Sequence, residues 1–336
     1  MKLPLPSSLR IGLYGAGPHS RAVLLPALTS LEHSLEAVCD PRPNLADDLA
    51  ERFAFRATFT DLRSLLRDTS VQVLIISRDG PNFPDIMGPL LGSRLPFWLD
   101  AAIPGLECLI TRLKRRSSNN SPVYMVSHPH RFAPAFVRTA ELIRSGRLGE
   151  LVSGSLEISS AKPSPGQMEI PLEYLLEGAL DLLCFLLGPP DKVYASWDGI
   201  STLAAIIHFG QTPLVLQLRQ GVWTGQASHC LQLHGQQGQE LRVSNLVELS
   251  ASQAEAILAR SAAPVDNSLD VCAQLGWTGA LAAFFAAAVR QAHGEQSRTA
   301  GDTKVPADLT GWLLTRSLSE SVIHSANSHR EVRFRI

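Results

Sequence analysis

The first part of the chain alternates between short apolar segments and stretches with helical spacing. Compact apolar runs predict strands at 11–14, 35–39, 70–77, 97–99 and 122–127. Between them, apolar residues three and four positions apart predict helices at 20–31, 44–53 and 106–115. The run at 70–77, SVQVLIIS, is mostly apolar, as expected of a strand covered on both faces. Strands that alternate with helices predict a doubly wound, parallel α/β sheet.

The pattern changes near residue 148 to long stretches in which apolar and polar residues alternate. These stretches predict strands at 152–159, 192–198, 202–209, 213–220, 228–235 and 240–247. Period-two alternation joined by short turns is typical of an antiparallel sheet with one covered face. We expect helices at 172–187, 277–292 and 307–325 to cover it. We therefore predict a first domain over residues 1–126 and a second over 127–336. The closing C-terminal helix is also compatible with packing back on the first domain.

Composition narrows the classes of partner. The 336 residues are enough for two domains. Thirty Lys and Arg against 31 Asp and Glu give a net charge of −1, which provides no field to attract nucleic acid or an anionic membrane. Charged residues make up 18% of the chain, below the globular norm of about 25%, which leaves apolar surface for an interdomain or subunit contact. We expect a small-molecule substrate, no nucleic-acid partner and no membrane partner.

The cysteines and the apolar runs bear on location. Five scattered cysteines with no C-x-x-C pair favour reduced thiols in a cytoplasmic protein over disulfides or a zinc site. The first ten residues, MKLPLPSSLR, lack the apolar segment of a secretory signal. The longest apolar runs, such as Leu180–Leu187, are shorter than the roughly 20 residues of a membrane span. In an alternating strand His229 and Cys230 point to opposite faces, so these two and His234 do not predict a metal site.

The hexapeptide GAGPHS at 15–20 follows the first predicted strand and begins the first helix. In a G-x-G-x-x-(small) pattern the first glycine permits a tight turn and the second lets a diphosphate approach the backbone. The helix N-terminus favours the phosphates. Asp40 ends the next strand, where a carboxylate binds the adenosine ribose. Two glycines also occur in ordinary loops, but the strand, the helix and Asp40 together favour a dinucleotide-binding Rossmann domain.

Arg42 bears on which dinucleotide is bound. A carboxylate at Asp40 repels the 2′-phosphate of NADP, whereas an arginine close by can hold that phosphate. Arg42 lies between two prolines, where a solvated loop charge is an equally ordinary interpretation. The sequence therefore favours NAD and leaves NADP open.

Several motifs together resemble the Gfo/Idh/MocA oxidoreductases over almost the whole chain. The segments IGLYGAGPHSRAVLLPAL at 11–28 and CDP at 39–41 are similar to that family's first two strands. HRFAPAF at 130–136 and ELIRSGRLGE at 141–150 resemble its interdomain helix, and 179–190 and 305–332 resemble two helices of its second domain. The resemblance implies a Rossmann domain, then an α/β domain with an open, largely antiparallel sheet. It also implies NAD(H) or NADP(H) as cofactor and a homodimer or homotetramer formed through that sheet.

The family's catalytic pattern is incomplete in this chain. Members usually carry E-K-P after a strand of the first domain, and the matching positions here hold Asp100 and Ala101, so the lysine is missing. Counting back from Asp181 along the family's D-x-x-x-H-x-x-D pattern places Gly178 at the histidine and Tyr174 at the first acid. Alanine and glycine cannot transfer a proton. The usual proton relay is therefore absent.

The motifs and the resemblance together define an expected site. We assign cofactor binding to Gly15, Gly17, Pro18, His19, Ser20, Asp40, Arg42, Ser77 and Asp100. Catalysis is assigned to Tyr174, His130 and Lys162, and substrate binding to His128, Arg131 and Asp181. Each of the last six has an ordinary alternative, because Tyr174 also suits a helix core, Lys162 an exposed loop and Asp181 a packing role. The histidines and Arg131 also suit a hydrogen-bonded loop.

Three functions are compatible with these residues. The first is an NAD(P)-dependent oxidoreductase that acts on a small carbonyl, polyol or imine with non-standard acid–base residues, since hydride transfer belongs mainly to the nicotinamide. Imine reductases of the family also depart from the E-K-P lysine. The second is a catalytically inactive, cofactor-binding sensor or scaffold, suggested by Ala101, Tyr174 and Gly178. The third is a cyclase or lyase that reuses the pocket. The sequence favours the first by a small margin.

Overall fold

The computed structural model describes residues 8–80, 83–103, 105–116, 121–161, 171–221, 228–253, 256–261, 268–292 and 309–334. The chain divides into two compact units. The first comprises Met1–Ser127, Asn267–Cys272 and Trp277–Thr310, and the second comprises His128–Asp266, Ala273–Gly276 and Gly311–Ile336. The division after residue 127 lies one residue beyond the predicted boundary. Two later segments join the first unit, which the sequence pattern did not predict.

The first unit contains a six-stranded parallel sheet. Its strands are β1 (Arg10–Tyr14), β2 (Ser34–Cys39), β3 (Ala57–Phe59), β4 (Val73–Ile76), β5 (Phe97–Leu99) and β6 (Tyr124–Val126). Their lateral order is β3-β2-β1-β4-β5-β6, and every neighbouring pair is parallel. This order reverses direction between β1 and β4, which is the switch point where doubly wound sheets bind ligands. The predicted doubly wound sheet is confirmed, and β3 is an additional edge strand.

The second unit contains a nine-stranded sheet. Its strands are β7 (Leu151–Ser160), β8 (Lys192–Trp197), β9 (Thr202–Phe209), β10 (Thr212–Gln220), β11 (Ser228–Gly235), β12 (Gln239–Ser244), β13 (Glu248–Gln253), β14 (Ala256–Ser261) and β15 (Val332–Arg333). The lateral order is β14-β13-β12-β11-β7-β10-β9-β8-β15. Only β7 and β10 pair in parallel, so the prediction of a largely antiparallel sheet is confirmed. The predicted strands are all present, and β13, β14 and β15 extend the sheet at its edges.

Helices follow or cover these strands. They are α1 (Leu25–Thr29), α2 (Pro43–Phe53), α3 (Leu62–Asp68), α4 (Phe83–Gly92), α5 (Leu106–Arg116), α6 (Pro134–Arg144), α7 (Leu172–Leu187), α8 (Ser268–Gln274), α9 (Trp277–Ala292) and α10 (Leu309–Ser328). A π-helical turn, Ser20–Leu24, precedes α1, and the Leu25 N–H bonds to Ser20 O five residues back. The wider turn comes directly before Pro26, which has no N–H to continue a regular ladder.

The placement of α9 corrects one expectation. We expected this helix to cover the antiparallel sheet, but it belongs to the first unit. Its Trp277 ring lies 6.0 Å from the Trp98 ring of β5, and its Phe285 ring lies 4.6 Å from His33. Aromatic residues of α9 therefore pack against β5 and against His33, which precedes β2, in the unit that contains the parallel sheet. Periodicity shows that a helix has an apolar face, but it does not show which sheet that face covers.

The antiparallel sheet has one buried and one open face. Buried residues of α6, α7 and α10 form one hydrophobic core with the inward side chains of β7 to β13. Along β9 and β10, buried and exposed residues alternate, as the period of two predicts. On the outward face Tyr194, Ile206 and Val215 are each 44–48% exposed. Tyr194 pairs with Ile206 and Ile206 with Val215, so the three form a continuous apolar row across three strands.

Candidate functional site

The glycine-rich turn lies at the switch point of the parallel sheet, at the end of β1. Gly15 has a φ of +96°, a left-handed conformation that favours glycine. Its N–H donates to Cys39 O at 2.9 Å, which ties the turn to the end of β2. The Ser20 hydroxyl donates to Gly15 O at 2.6 Å and closes the turn against the helix that follows. These contacts form the tight strand-to-helix turn that the glycine pattern predicts.

A carboxylate from the chain itself lies at the start of that helix. Asp79, in the loop after β4, accepts the Ser20 N–H on Oδ2 at 2.7 Å. A Cβ atom on Gly17 would lie 2.7 Å from both Cβ and Cγ of Asp79, so this side chain fills the space that the glycine leaves. Helix N-termini favour anionic oxygens. The helix start is therefore an oxyanion-binding position, and Asp79 supplies the oxyanion.

The loop that carries Asp79 is fixed close to the glycine turn. The N–H groups of Asp79 and Gly80 donate to the hydroxyl and the carbonyl of Ser77 at 3.2 and 3.1 Å, and the Ser77 N–H donates to Tyr14 O. A Cβ atom on Gly15 would lie 2.6 Å from the Gly80 nitrogen. A Cβ atom on Gly80 would overlap the Tyr14 ring. The close approach of the two segments therefore depends on glycine at both positions.

Asp40 is fully buried at the end of β2, and both of its oxygens are engaged. Oδ2 accepts the Ala16 N–H at 2.8 Å, and Oδ1 accepts the Arg42 N–H at 2.9 Å. The Arg42 guanidinium adds bonds from Nε to Oδ1 and from Nη2 to Oδ2, each of 2.8 Å. Burial opposes ionisation, but the Arg42 and backbone donors outweigh it and lower the pKa of Asp40. Asp40 thus joins the glycine turn to Arg42, and its four acceptor positions are in use.

A second buried carboxylate, Asp100, follows β5. His19 Nε2 lies 3.0 Å and Arg78 Nε 3.8 Å from Asp100 Oδ2. Arg78 Nη2 also lies 2.8 Å from His19 Nδ1, and because arginine only donates, Nδ1 is the acceptor of that contact. Burial raises the pKa of Asp100, but Arg78 and His19 outweigh burial and lower it to about 2. The His19 ring also contacts Trp277, with 5.0 Å between centroids. Asp100 is therefore ionised and internally paired.

In the second unit, Arg131 and Asp181 form a two-pronged ion pair. Arg131 Nε donates to Asp181 Oδ2 at 2.8 Å, and Nη2 contacts Oδ1. Asp181 is buried, and the Arg131 guanidinium carbon also lies 5.8 Å from the centre of the Phe185 ring. Paired guanidinium and carboxylate groups with this geometry hold each other in place. Two of the predicted substrate-binding residues, Arg131 and Asp181, are therefore neighbours and are paired with each other.

The predicted residue His130 lies close to His229, and both side chains are half-buried. The His130 and His229 rings are 5.7 Å apart between centroids. Burial, together with the neighbouring His229 and His128, lowers the pKa of His130 to about 3. Burial lowers the pKa of His229 to about 4. Both imidazoles are neutral at pH 7, and these values are far from the near-neutral pKa that suits a general acid or base.

The remaining predicted residues lie at different depths. Pro18 is exposed in the first helical turn, where its missing N–H costs nothing, and Ser77 is buried. Tyr174 is half-buried in the first turn of α7, and its N–H donates to Pro171 O at 3.1 Å. Lys162 lies outside the described residues. The structure therefore gives no account of one of the three predicted catalytic groups.

The described ranges contain neither a metal-ligating cluster nor a membrane-spanning helix. Within them, no group of three or more His, Cys, Asp or Glu residues is arranged to hold a metal ion. In β11, His229 shares a face with the buried Leu231 and Leu233, whereas Cys230 lies on the other face. None of the helices in the same ranges combines the length and the apolar character that crossing a membrane requires.

No family model matches the sequence, and no curated protein does, but solved structures match nearly its whole length. An oxidoreductase from Agrobacterium radiobacter, solved with NAD+, L-tartaric acid and magnesium, is 16% identical with a TM-score of 0.75, and 97% of this chain aligns with 98% of that one. Levoglucosan dehydrogenase, solved with NADH and levoglucosan, is 15% identical with a TM-score of 0.74, over 97% and 99% of the two chains. A super-repressor mutant of Gal80p from Saccharomyces cerevisiae is 15% identical with a TM-score of 0.78, over 97% of each chain.

The chain has the Gfo/Idh/MocA fold. The resemblance drawn from the motifs is therefore confirmed at the level of the fold. The fold is shared by proteins crystallised with a nicotinamide nucleotide and by a protein described as a repressor. Fold alone does not decide between those functions.

The glycine turn fits the diphosphate of a pyridine nucleotide, the cofactor bound by neighbours with the Gfo/Idh/MocA fold. A Cβ atom on Gly15 or Gly17 would lie only 2.6–2.7 Å from Gly80 or Asp79, so the chain itself uses the close approach that the two glycines permit. The Ser20 N–H already binds an oxyanion. That oxyanion is the Asp79 carboxylate.

Two of the positions that the family resemblance assigns to the proton relay, Ala101 and Gly178, have no titratable side chain. Ala101 is buried, and its N–H donates to the Ser127 hydroxyl at 3.1 Å. A Cβ atom on Gly178 would meet nothing within 4 Å, so crowding does not explain the missing histidine. The acid that remains, Asp181, is bound to Arg131. Ala101 and Gly178 therefore supply no group for proton transfer, and Asp181 is engaged in an ion pair.

The sequence analysis missed Arg78, Asp79 and Gly80. These residues follow a predicted strand, but Arg78 contacts His19 and Asp79 contacts Ser20, each 59 positions earlier in the chain. The available signal was the R-D-G triplet directly after the apolar run 70–77. Because β4 lies beside β1 in a doubly wound sheet, residues after the two strands meet at the switch point.

Proposed function

We propose that this protein binds a pyridine nucleotide, NAD(H) or NADP(H), and acts as a sensor or scaffold instead of as an oxidoreductase. One observation carries the proposal: three of the positions that the family resemblance assigns to acid–base chemistry, Ala101, Gly178 and Asp181, are either without a titratable group or already bound. Ala101 and Gly178 have no titratable side chain, and Asp181 is paired with Arg131. A redox reaction of a carbonyl or imine needs a proton as well as a hydride. The protein would therefore bind the nicotinamide without a proton donor at these three positions.

The residues that would hold the nucleotide are those of the first unit. The turn at Gly15 and Gly17 and the Ser20 N–H suit the diphosphate, and Asp40 lies where the adenosine ribose is bound in such folds. A bound nicotinamide would supply hydride chemistry. Asp100 and His19 lie after β5 and in the glycine turn, where the 3.0 Å contact between their side chains would fix the floor of the site. These roles are binding roles, and none moves a proton.

NAD is favoured over NADP in this proposal. Asp40 is ionised and buried, and a carboxylate at this position repels a 2′-phosphate. Arg42 offsets part of that repulsion, but its guanidinium is bound to Asp40 by two bonds and does not reach out to hold the phosphate itself. Similarity to Gal80p, of which a mutant form is described as a super-repressor, supports a regulatory use of this fold. All five cysteines, each within the described ranges, are unpaired, which supports a cytoplasmic location.

The open sheet face is proposed as the contact with a second copy of this chain. Tyr194, Ile206 and Val215 form its exposed apolar row. A row of this kind matches itself across a two-fold axis, as an isologous homodimer requires. Burying it would remove apolar area from water. Ile206→Lys should therefore shift the protein from dimer or tetramer to monomer in sedimentation velocity.

An NAD(P)-dependent oxidoreductase is the second candidate. Tyr174 favours it, because a phenol at the position of the family's first acid is able to donate a proton. This candidate predicts oxidation of bound NADH by a small carbonyl or imine, or reduction of bound NAD+ by a small polyol. It also predicts that Tyr174→Phe abolishes that turnover and leaves nucleotide binding unchanged.

Two measurements on the purified full chain test the proposal. Calorimetric titration with NADH and NADPH should show binding, and Gly17→Val, which places a branched side chain at the diphosphate position, should abolish it. Incubation with NADH and a panel of carbonyls, sugars and imines should leave absorbance at the nicotinamide wavelength unchanged. Binding with Tyr174-dependent oxidation would replace the proposal by the second candidate. Absence of binding to either nucleotide would overturn both.

A further inference from the structure

We infer that Asp79 is an internal competitor of the nucleotide: its carboxylate occupies the diphosphate position, and its displacement sets the affinity of the site. The inference rests on the proposed nucleotide binding and adds a regulating residue to it. The key contact is between Asp79 Oδ2 and the Ser20 N–H, 2.7 Å apart at the start of the helix after the glycine turn. This N–H is one of those that a diphosphate would use at a helix N-terminus.

The Asp79 side chain and a diphosphate exclude each other on two grounds. The Asp79 Cβ and Cγ atoms lie 2.7 Å from the point where a Gly17 Cβ would be, so the side chain fills the space in which the second glycine admits a phosphate. The carboxylate is also an anion, and two anions at one helix terminus repel each other. The nucleotide therefore binds only when this side chain has left.

The closed position of the loop has its own contacts. The Arg42 Nη2 donates to the Asp79 carbonyl at 3.0 Å, while the same guanidinium binds Asp40. Gly80 lies against the Tyr14 ring and the Gly15 backbone, with no room for a Cβ atom on either side. These contacts stabilise the closed state beyond the single cap on Ser20. When the binding-competent state is only partly populated, the apparent affinity falls by that fraction.

The same contacts identify two independent ways to open the site. Asp79→Ala removes the carboxylate and leaves the Ser20 N–H for a phosphate oxygen. Gly80→Ala leaves every charge in place, but its new Cβ would overlap the Tyr14 ring and push the loop from the turn. Gly80 does not have a positive φ, so alanine adds no backbone strain there. Both variants should bind the nucleotide more tightly than the natural chain.

The experiment titrates the full-length natural chain and its variants with NADH, followed by calorimetry and by tryptophan fluorescence. The Trp277 ring, 5.0 Å from His19 in the turn, places a fluorophore beside the site. We expect Asp79→Ala to lower the dissociation constant of NADH about tenfold or more, the scale of one hydrogen bond to a charged group. Gly80→Ala should lower it in the same direction. Asp79→Ser, which keeps a capping oxygen without the charge, should lie between.

The matched control is Asp61→Ala. Asp61 caps α3 by accepting the Ser64 N–H at 2.8 Å, so it has the same local role away from the turn. The Asp61→Ala variant should have a lower free energy of unfolding, because α3 loses its cap, and it should leave the dissociation constant of NADH unchanged. Equal NADH affinity in the natural chain, Asp79→Ala and Gly80→Ala would overturn the inference and keep the proposed function. Lack of NADH binding in all of these variants would instead overturn the proposed function. Asp79→Ser provides the test if Asp79→Ala does not fold.

Discussion

The glycine turn of the first unit and the Arg131–Asp181 region of the second differ in what they have kept. At the turn the residue types of a nucleotide site remain, and in the inferred closed state the chain's own Asp79 takes the diphosphate position. A loop movement would reverse that state. In the second unit the histidine position holds Gly178, and the remaining acid is in a buried ion pair. Only mutation would reverse that change. Binding and proton transfer therefore depend on separate parts of this fold, and one can be lost without the other.

The largest expected difference between the two regions is their response to acid. His130 and His229 are half-buried and neutral, with pKa values lowered from 6.5 to about 3 and 4, mainly by desolvation of the rings. The unfolded chain binds these protons first, so stability falls as the pH drops from about 6.5 towards 4. Each unit of pKa difference is worth about 1.4 kcal/mol, so the loss is on the order of 5 kcal/mol by pH 4. Urea unfolding at a series of pH values measures it.

The control for this effect removes the two imidazoles. A His130→Asn, His229→Gln double variant should show a smaller decrease in the free energy of unfolding between pH 6.5 and 4. His324, on the part of α10 that faces solvent, provides a matched single substitution, His324→Gln, that should leave the slope unchanged. Parallel loss of stability in the natural chain and the double variant would show that other groups cause the acid response.

The second difference concerns the ion pair on α7. Arg131→Ala leaves the buried Asp181 carboxylate without its partner, which should cost about 3–5 kcal/mol in the free energy of unfolding. Arg131→Met combined with Asp181→Leu should recover most of that loss, because a buried pair and a packed apolar pair are often equivalent. Arg138→Ala, which breaks an exposed pair with Glu141, should cost at most about 0.5 kcal/mol.

This prediction also separates a structural pair from a catalytic one. If Asp181 served a reaction, its pairing with Arg131 would be an adaptation for substrate, and its removal would change turnover more than stability. We expect the reverse. A double variant as unstable as Arg131→Ala alone would show that the pair contributes by its charges, contrary to the packing argument.

The sequence predicted the elements of this fold more completely than its contacts. Alternation at 202–220 and the apolar run at 70–77 were sufficient for the strands, because a pleated strand imposes its period directly on the side chains. The helix α4 was missed, since Pro89 and two glycines within Phe83–Gly92 argue against a helix that tertiary packing nevertheless stabilises. The short edge strand β3, Ala57–Phe59, has too few residues to show a period.

For the candidate site, too, the sequence predicted the local motif but not the contacts between distant residues. The turn at Gly15 and Gly17 was evident because its function depends on consecutive residues. Asp79 was not, because its partner Ser20 is 59 positions away and becomes a neighbour only through the β1–β4 pairing. The pairing of Asp181 with Arg131 was missed for the same reason, at a separation of 50 positions. A local motif predicts the residues that form a turn, but it does not predict which distant residues of the chain will contact that turn.

A third prediction concerns the buried carboxylate of the first unit. Burial raises the pKa of Asp100, but Arg78 and His19 outweigh it, and the pKa falls from 3.8 to about 2. A lowered carboxyl pKa contributes stability that is present above about pH 4 and is lost as the pH falls to 2, in total about 2 kcal/mol. This window lies below that of the histidines. Asp100→Asn should remove the loss in urea unfolding between pH 4 and 2. An unchanged slope in that variant would contradict the assigned cause.

The smallest predicted effect concerns Arg42, and it refines the description of the glycine turn. Arg42→Gln removes the positive charge beside Asp40, so the carboxylate alone faces an incoming 2′-phosphate. We expect NADPH binding to weaken relative to NADH binding by about fivefold, or about 1 kcal/mol, in parallel titrations. Arg52→Gln removes an exposed charge from the same helix, α2, and should leave the ratio unchanged. If Arg42→Gln weakens both nucleotides equally, Arg42 supports the turn through Asp40 and does not discriminate between them.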